Sequence, residues 1–318
     1  MVFPGFYRPP LFPNPSQLSI TVLFELSQMP QKASALFVIL WTVNGMEKLN
    51  KQDYIEKACC FDASDYTSSP DQSPCDHKIP VPQIIERLDG LFRKGMEEEA
   101  GDFLRCWSER AHGMGDWRGE LSLLSELMGY YRRTADADAG LDVCGRGMEI
   151  IKEHGLANTV SGATVLLNAA TTLKAFGKAP ESLPIFEHVC RVYQNNLAPD
   201  DYRFGGLFNN MGLSYDDVEN FEKAEWCFLQ AMKTIEQCVQ PEYELAVTCC
   251  NIAHMYDHQD PEDPRINEYM EKAWDYLNSD HIPRDSYWRF TASKCLDAFR
   301  YFGYFLYVKE LESKVCPN

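Results

Sequence analysis

The feature that most constrains this chain is a repeat of about 42 residues along its C-terminal three quarters. Small or helix-packing residues recur at one equivalent position of each unit, namely Ala100, Gly140, Ser182, Ala224, Ile266 and Val308. The first interval in this series is slightly shorter, and the later ones are equal. A unit of this length holds two antiparallel helices that cannot bury their apolar faces alone, so the units must stack on one another. The spacing therefore predicts an all-α array of six helix pairs.

Turn residues repeat with the same period. The turn inside the helix pair is marked by Gly95, Ala135, Gly177, Glu219 and Gly303. Proline recurs at the same interval where one unit ends, at Pro199, Pro241 and Pro283. Proline interrupts the helix before it and presets the backbone for the next start.

These signals predict twelve helices. The first helices of the pairs are expected at residues 81–93, 117–134, 158–176, 201–218, 242–257 and 284–302. The second helices are expected at residues 97–111, 138–154, 180–196, 221–238, 264–279 and 304–315. Residues 260–264 read Asp-Pro-Glu-Asp-Pro and add one residue to the turn of the fifth pair.

Charge and composition narrow the class of partner. The formal net charge is −17, and residues 201–282 carry 17 acidic and 5 basic residues. Because phosphate groups are bound by basic side chains, no nucleic-acid ligand is expected. An acidic surface steers basic peptides or proteins toward it, although a merely solvated surface would have the same composition. No apolar run is long enough to span a membrane. The 12 cysteines lack a disulfide pattern, which predicts reduced thiols and a cytoplasmic protein.

The segment before the repeats, residues 1–80, differs from the rest. Residues 1–45, rich in proline and aromatic residues, are interpreted as a disordered or non-native extension, with Met46 as an alternative start. Residues 46–80 are expected to form a short helix and a flexible linker, and residues 81–318 the repeat array. Cys59, Cys75 and His77, beside Cys60, are the candidate metal ligands. Their spacing is tighter than zinc sites usually show, which favours an unliganded linker.

The repeat resembles the tetratricopeptide repeat (TPR). The fourth unit carries the internal pattern at Phe208, Met211, Gly212, Tyr215, Ala224 and Phe228. In length the unit is similar to the longer repeat of kinesin-light-chain-like arrays. The resemblance implies a right-handed superhelical solenoid, with the first helices lining its concave face.

The resemblance also implies a binding site on that face. Asn168, Asn210 and Asn251 occupy one equivalent position, where TPR domains use an asparagine amide to bind an extended peptide. The alternative is that each amide bonds a neighbouring helix. The other groove candidates are Asn209, Thr171, Lys174, Arg132, Arg133, Asp216 and His254.

The function predicted from these features is a non-catalytic scaffold that binds a protein or an extended peptide, with basic peptides as one candidate class. The alternatives are a peptide-responsive regulator and a self-assembling structural scaffold. No phosphate loop, nucleophile elbow or metalloprotease helix occurs in the sequence, so neither an enzyme nor a cofactor is expected.

Overall fold

The computed structural model describes residues 78–315, so the candidate ligands Cys59, Cys75 and His77 lie outside it, as does most of the predicted linker. Within the described range there are twelve α-helices and no strand. The helices are α1 (Val81–Arg93), α2 (Glu97–Met114), α3 (Trp117–Thr134), α4 (Ala137–Glu153), α5 (Val160–Ala175), α6 (Ala179–Asn196), α7 (Arg203–Asp217), α8 (Phe221–Ile235), α9 (Glu242–Gln259), α10 (Arg265–Leu277), α11 (Ser286–Tyr301) and α12 (Phe305–Val315).

The helices pack as six consecutive pairs, from α1 with α2 to α11 with α12. Each second helix also contacts the first helix of the following pair, and first helices contact one another, as α3 does α5 and α9 does α11. This neighbour-only packing is that of a solenoid. The prediction of an all-α, TPR-like array of six repeats is confirmed.

The turn residues recur because they adopt the same backbone conformation. Residues Gly95, Ala135, Gly177, Glu219 and Gly303 all have positive φ angles, between 55° and 81°. This left-handed conformation ends a helix and lets the chain reverse, and glycine adopts it without steric cost. Ala135 and Glu219 adopt it with a side chain, which shows that the turn geometry is kept even where glycine is lost.

Many helix ends differ from the predicted ones by one to three residues, and two of these differences have a visible local origin. The second helix of the fourth unit ends at Ile235 and not at residue 238. Beyond Ile235 the α-helical bonding is not kept, since Cys238 N–H donates to the Ile235 carbonyl, three residues earlier (2.8 Å). The first helix of the third unit begins at Val160, after a 3-10 turn over Leu156–Asn158 that the apolar pattern did not reveal.

First and second helices differ in burial, which identifies the inner layer. Helices α5, α7 and α9 are buried on nearly all sides, whereas α6, α8 and α10 bury one face and expose the other. The inner layer therefore consists of first helices, as the resemblance implies. None of the helices in residues 78–315 has the length and apolar character that crossing a membrane requires.

Candidate functional site

The three predicted asparagines lie on the inner layer and are almost fully buried, with 3–5 % of each residue exposed. Asn168 Nδ2 on α5 donates to Ser125 Oγ on α3 (2.8 Å). Asn251 Nδ2 on α9 donates to Asn209 Oδ1 on α7 (3.0 Å). We call these four residues the amide row. Two of the predicted asparagines thus bond a neighbouring first helix, the alternative that the sequence left open, while contact between these amides and a peptide stays a prediction.

Asn210 makes a hydrogen bond within its own helix, where its Nδ2 donates to the Gly206 carbonyl (2.9 Å). Ser125 and Asn209 occupy one equivalent position in their units, and in the unit preceding Asn210 this position is Leu167, which has no polar side-chain atom.

Removing an amide of this row should destabilise the array. Asn251→Ala leaves the half-buried acceptor of Asn209 without its donor, and we expect a loss of about 1–2 kcal/mol in the free energy of unfolding. Urea denaturation followed by circular dichroism measures it. The matched control is Asn195→Ala, since Asn195 is exposed on α6. Equal stability of both variants would contradict a structural role for the Asn251 amide.

A second series of contacts joins the C-terminal ends of the first helices. Lys174 Nζ lies 3.5 Å from Asp217 Oδ2. His258 Nδ1 lies 3.2 Å from Asp216 Oδ2, and Tyr301 OH donates to Asp257 Oδ2 (2.7 Å). We call these three pairs the charged row. They link α5 to α7, α7 to α9 and α9 to α11, so a polar seam runs along the inner face of four successive units.

The remaining predicted residues extend this seam toward the N-terminus or lie beneath it. Arg132 Nη1 donates to Thr172 Oγ1 (2.6 Å) and to the Asn168 carbonyl (3.3 Å), which joins α3 to α5. Arg133 instead packs its guanidinium over the Phe92 ring (4.2 Å), toward α1. Thr171 is buried and bonds its own helix. The structure therefore unites Arg132 with the inner seam and directs Arg133 away from it.

Burial and pairing shift the pKa values of three groups on the inner face. Burial raises the pKa of Asp217, and the nearby Lys174 ammonium works against this shift. The hydrogen bond to Asp216 raises the pKa of His258 above its usual 6.5. Burial lowers the pKa of His254 to about 3, so this imidazole is uncharged at neutral pH.

The His258–Asp216 pair predicts a pH dependence of stability. Because the folded-state pKa of His258 is raised, the pair stabilises fully below the unfolded pKa near 6.5, and this contribution is lost as pH rises through the folded-state pKa. With 47 % of the His258 side chain exposed, solvent screening limits the effect to about 0.5–1 kcal/mol. Denaturation midpoints on both sides of neutrality should show a step that His258→Gln removes. His281→Gln, at an exposed histidine, should keep the step, and its persistence in His258→Gln would argue against this pair.

No group of three or more His, Cys, Asp or Glu side chains placed to hold a metal ion occurs in the described part of the chain. The charged row is instead held by its own ion pairs and hydrogen bonds. Its chemistry suits contact with polar and charged groups of a ligand.

No protein-family model matches the sequence, and no curated protein was found to match it. Among solved structures, the chain is similar to TPR-like repeats from Podosopora anserina that carry the name of kinesin light chain, at 13 % identity over 60 % of this chain and 91 % of that one, with a TM-score of 0.46. It is also similar to BtubC (BKLC) from P. vanneervenii, at 14 % identity over 75 % of this chain and 90 % of that one, with a TM-score of 0.42. A MamA RS-1 variant shares 18 % identity over 63 % of this chain and 96 % of its own length, with a TM-score of 0.43.

Proposed function

We propose that residues 81–318 form a non-catalytic scaffold that binds an extended segment of a protein partner along the inner face of its first helices. The observation that carries this proposal is the charged row. Its pairs span four successive units, and it keeps accessible groups, with 22 % of the Asp217 side chain and 47 % of the His258 side chain exposed. An extended chain laid across stacked helices meets one such group per unit.

The charges along this face favour a defined orientation of the segment. Arg132 lies on α3, whereas Asp217 and Asp257 lie on α7 and α9. A segment with acidic side chains toward α3 and basic side chains toward α9 meets complementary charge at both ends, and complementarity of this kind governs specificity and association rate. The excess of acidic residues at positions 201–282 also attracts basic segments to this part of the chain.

We further propose that the scaffold works in the cytoplasm with reduced thiols. The buried cysteines Cys144 and Cys227 carry free thiols. Burial raises the pKa of Cys144 to about 11 and that of Cys227 to about 12, so both stay protonated and act as small apolar groups.

A pair of glycines offers a matched test of the binding face. A Cβ atom added at Gly129, on first helix α3, meets only the end of the Arg132 side chain at 3.9 Å, and one added at Gly145, on second helix α4, meets nothing within 4 Å. The Cβ atom of a phenylalanine is thus accommodated at both positions without a clash. Only at Gly129, next to Arg132 on the inner layer, does the added ring obstruct the proposed path.

The probe is a phage-displayed library of random peptides selected on the full-length protein. We expect enriched peptides to lose affinity about tenfold or more on Gly129→Phe, because the ring excludes the backbone from its path, and to lose affinity on Asp217→Asn, because a charge-assisted contact is weakened. Gly145→Phe should bind like the wild type. Enrichment of peptides that bind both inner-layer variants unchanged would overturn the proposal.

A further inference from the structure

A ring nitrogen on the inner face lacks a hydrogen-bond partner among the residues that the structure describes, as do Ser122 Oγ and Glu242 Oε2 elsewhere on the first helices. His254, on α9, is 6 % exposed, and its buried Nε2 atom is the unpartnered one. Buried polar atoms in folded proteins are nearly always bonded, so an orphaned ring nitrogen requires an explanation. Neither the amide row nor the charged row uses it.

The orphaned imidazole lies one side chain below the accessible surface. The His254 ring centroid is 5.0 Å from that of Tyr301 and 4.7 Å from that of Phe302, both at the C-terminal end of the α11 segment. Tyr301 is 61 % exposed, so the layer that covers His254 is itself in solvent. The Tyr301 hydroxyl donates to Asp257 Oδ2 (2.7 Å), three residues after His254 on α9. Two aromatic rings therefore cover the site, and the more exposed one, Tyr301, is held by a hydrogen bond to Asp257.

The groups around this site favour a cation that can donate hydrogen bonds. Asp257 supplies a carboxylate, and Asp217 and Asp216 lie in the same row one unit earlier, where Asp217 pairs with Lys174 and Asp216 with His258. His254 stays uncharged because burial lowers its pKa to about 3, and in the tautomer protonated at Nδ1 its Nε2 presents a lone pair. The Tyr301 ring offers an electron-rich face to a cation.

We propose that His254, Asp257 and Tyr301 form a subsite for the cationic side chain of an arginine or lysine in the bound partner. The subsite rests on the proposed function and specifies the chemistry of its segment at the C-terminal end of the groove. On binding, Tyr301 turns away from His254 and releases Asp257. The guanidinium or ammonium group then donates to Asp257 and to His254 Nε2 and stacks against the Tyr301 ring, so a neutral hydrogen bond is exchanged for a charge-assisted one.

The test uses the full-length protein labelled with ¹⁵N at histidine, with N-acetyl-arginine amide as the probe. The imidazole resonances of His254 are identified by their loss in His254→Gln. We expect the arginine derivative to shift these resonances saturably, because its guanidinium contacts Nε2, while the norleucine and glutamate derivatives leave them in place. Asp257→Asn should weaken the response about tenfold, since the charge that holds the guanidinium is removed.

Tyr301→Phe separates this subsite from a purely structural cluster. Without its hydroxyl the ring no longer competes for Asp257, so the arginine derivative should bind about two- to fivefold more tightly. The control for the loss of charge in Asp257→Asn is Asp275→Asn, on the exposed face of α10. This variant should bind the arginine derivative like the wild type.

Two results would overturn the subsite. One is a His254 shift by the arginine derivative no larger than that by norleucine, and the other is weaker binding by Tyr301→Phe. Neither affects the proposed function, which is judged by library peptides and by Gly129→Phe. Conversely, a specific arginine response with no loss of peptide binding in the Gly129 and Asp217 variants would support the subsite and reject the extended groove.

Discussion

Phe228→Ala is expected to lower the free energy of unfolding by about 3–5 kcal/mol, because it empties a fully buried aromatic site where two helices meet. Phe228 has no exposed surface and lies on α8, against Gly212 of α7. These two residues belong to the periodic pattern of the fourth unit. Urea denaturation followed by far-ultraviolet circular dichroism measures the loss.

A double-mutant cycle with Gly212→Ala makes this prediction specific to the contact. A Cβ atom at residue 212 would lie 2.8 Å from Phe228 Cε1, closer than such atoms normally approach, so Gly212→Ala alone should destabilise by about 1–3 kcal/mol despite the better helix propensity of alanine. In the double variant the added methyl group enters the space left by the ring. The two effects should therefore be less than additive by about 1–2 kcal/mol.

The control for this cycle is Phe305→Ala, on α12, where the ring is 69 % exposed. An exposed ring contributes little, so we expect a change within about 0.5 kcal/mol. Strict additivity of the Gly212 and Phe228 variants would contradict the close helix approach on which the fold is built.

Lys174→Met is expected to cost about 3 kcal/mol, because it leaves a half-buried carboxylate without its cation. Only 4 % of the Lys174 side chain and 22 % of that of Asp217 are exposed, so water replaces the lost ammonium poorly. Methionine keeps the apolar stem and isolates the effect of the charge. Lys178→Met, at an exposed lysine between α5 and α6, should change the free energy of unfolding by about 0.5 kcal/mol or less.

The loss in Lys174→Met should depend on pH with a definite sign. The pKa of Asp217 is already raised by burial, and removing Lys174 removes the influence that lowers it. A carboxyl group whose folded-state pKa is raised stabilises most below its unfolded pKa near 3.9, and this stabilisation is lost as pH rises through the folded-state value. The deficit of Lys174→Met should thus shrink as pH falls toward 4. A deficit that grows on acidification would show that Asp217 is not the group left unpaired.

The fold could be predicted from the sequence because its determinants repeat. The turn position is occupied by Gly177 in one unit and by Glu219 in the next, and the common spacing still identifies it, since five of the six pairs reverse the chain through a residue with positive φ at this position. The 3-10 turn at Leu156–Asn158 occurs once and leaves no periodic trace. Local irregularities of this kind become visible only in the packed structure.

The site was predictable as a set of positions but not as a set of contacts. Comparison of equivalent residues aligned Asn168 with Asn210, whereas the bonds join each helix to the next with an offset of one residue, as in Asp216 with His258. An offset between neighbouring units is invisible to alignment of the units on one another. The available signal was a short carboxylate in one unit and a longer polar side chain in the next unit, one residue beyond the equivalent position. Asp257 and Tyr301 are an example.

The offset also changes the role assigned to the asparagines. Asn168 and Asn251 bond the preceding first helix, so part of their hydrogen-bonding capacity stabilises the array. The charged row, with the more exposed His258 and Tyr301, is the stronger basis for ligand contact. Variants of the amides should therefore act on stability, and variants of the charged row should act on both stability and affinity.

The central claim, that the inner layer binds an extended segment, is tested most directly by amide hydrogen exchange of the full-length protein with and without a library-selected peptide. Exchange reports the opening of local structure, so a bound segment slows it where it contacts the array. The account predicts slower exchange along α3, α5, α7 and α9, with α4, α6 and α8 unchanged. Protection confined to the second helices, or to one end of the array, would contradict it.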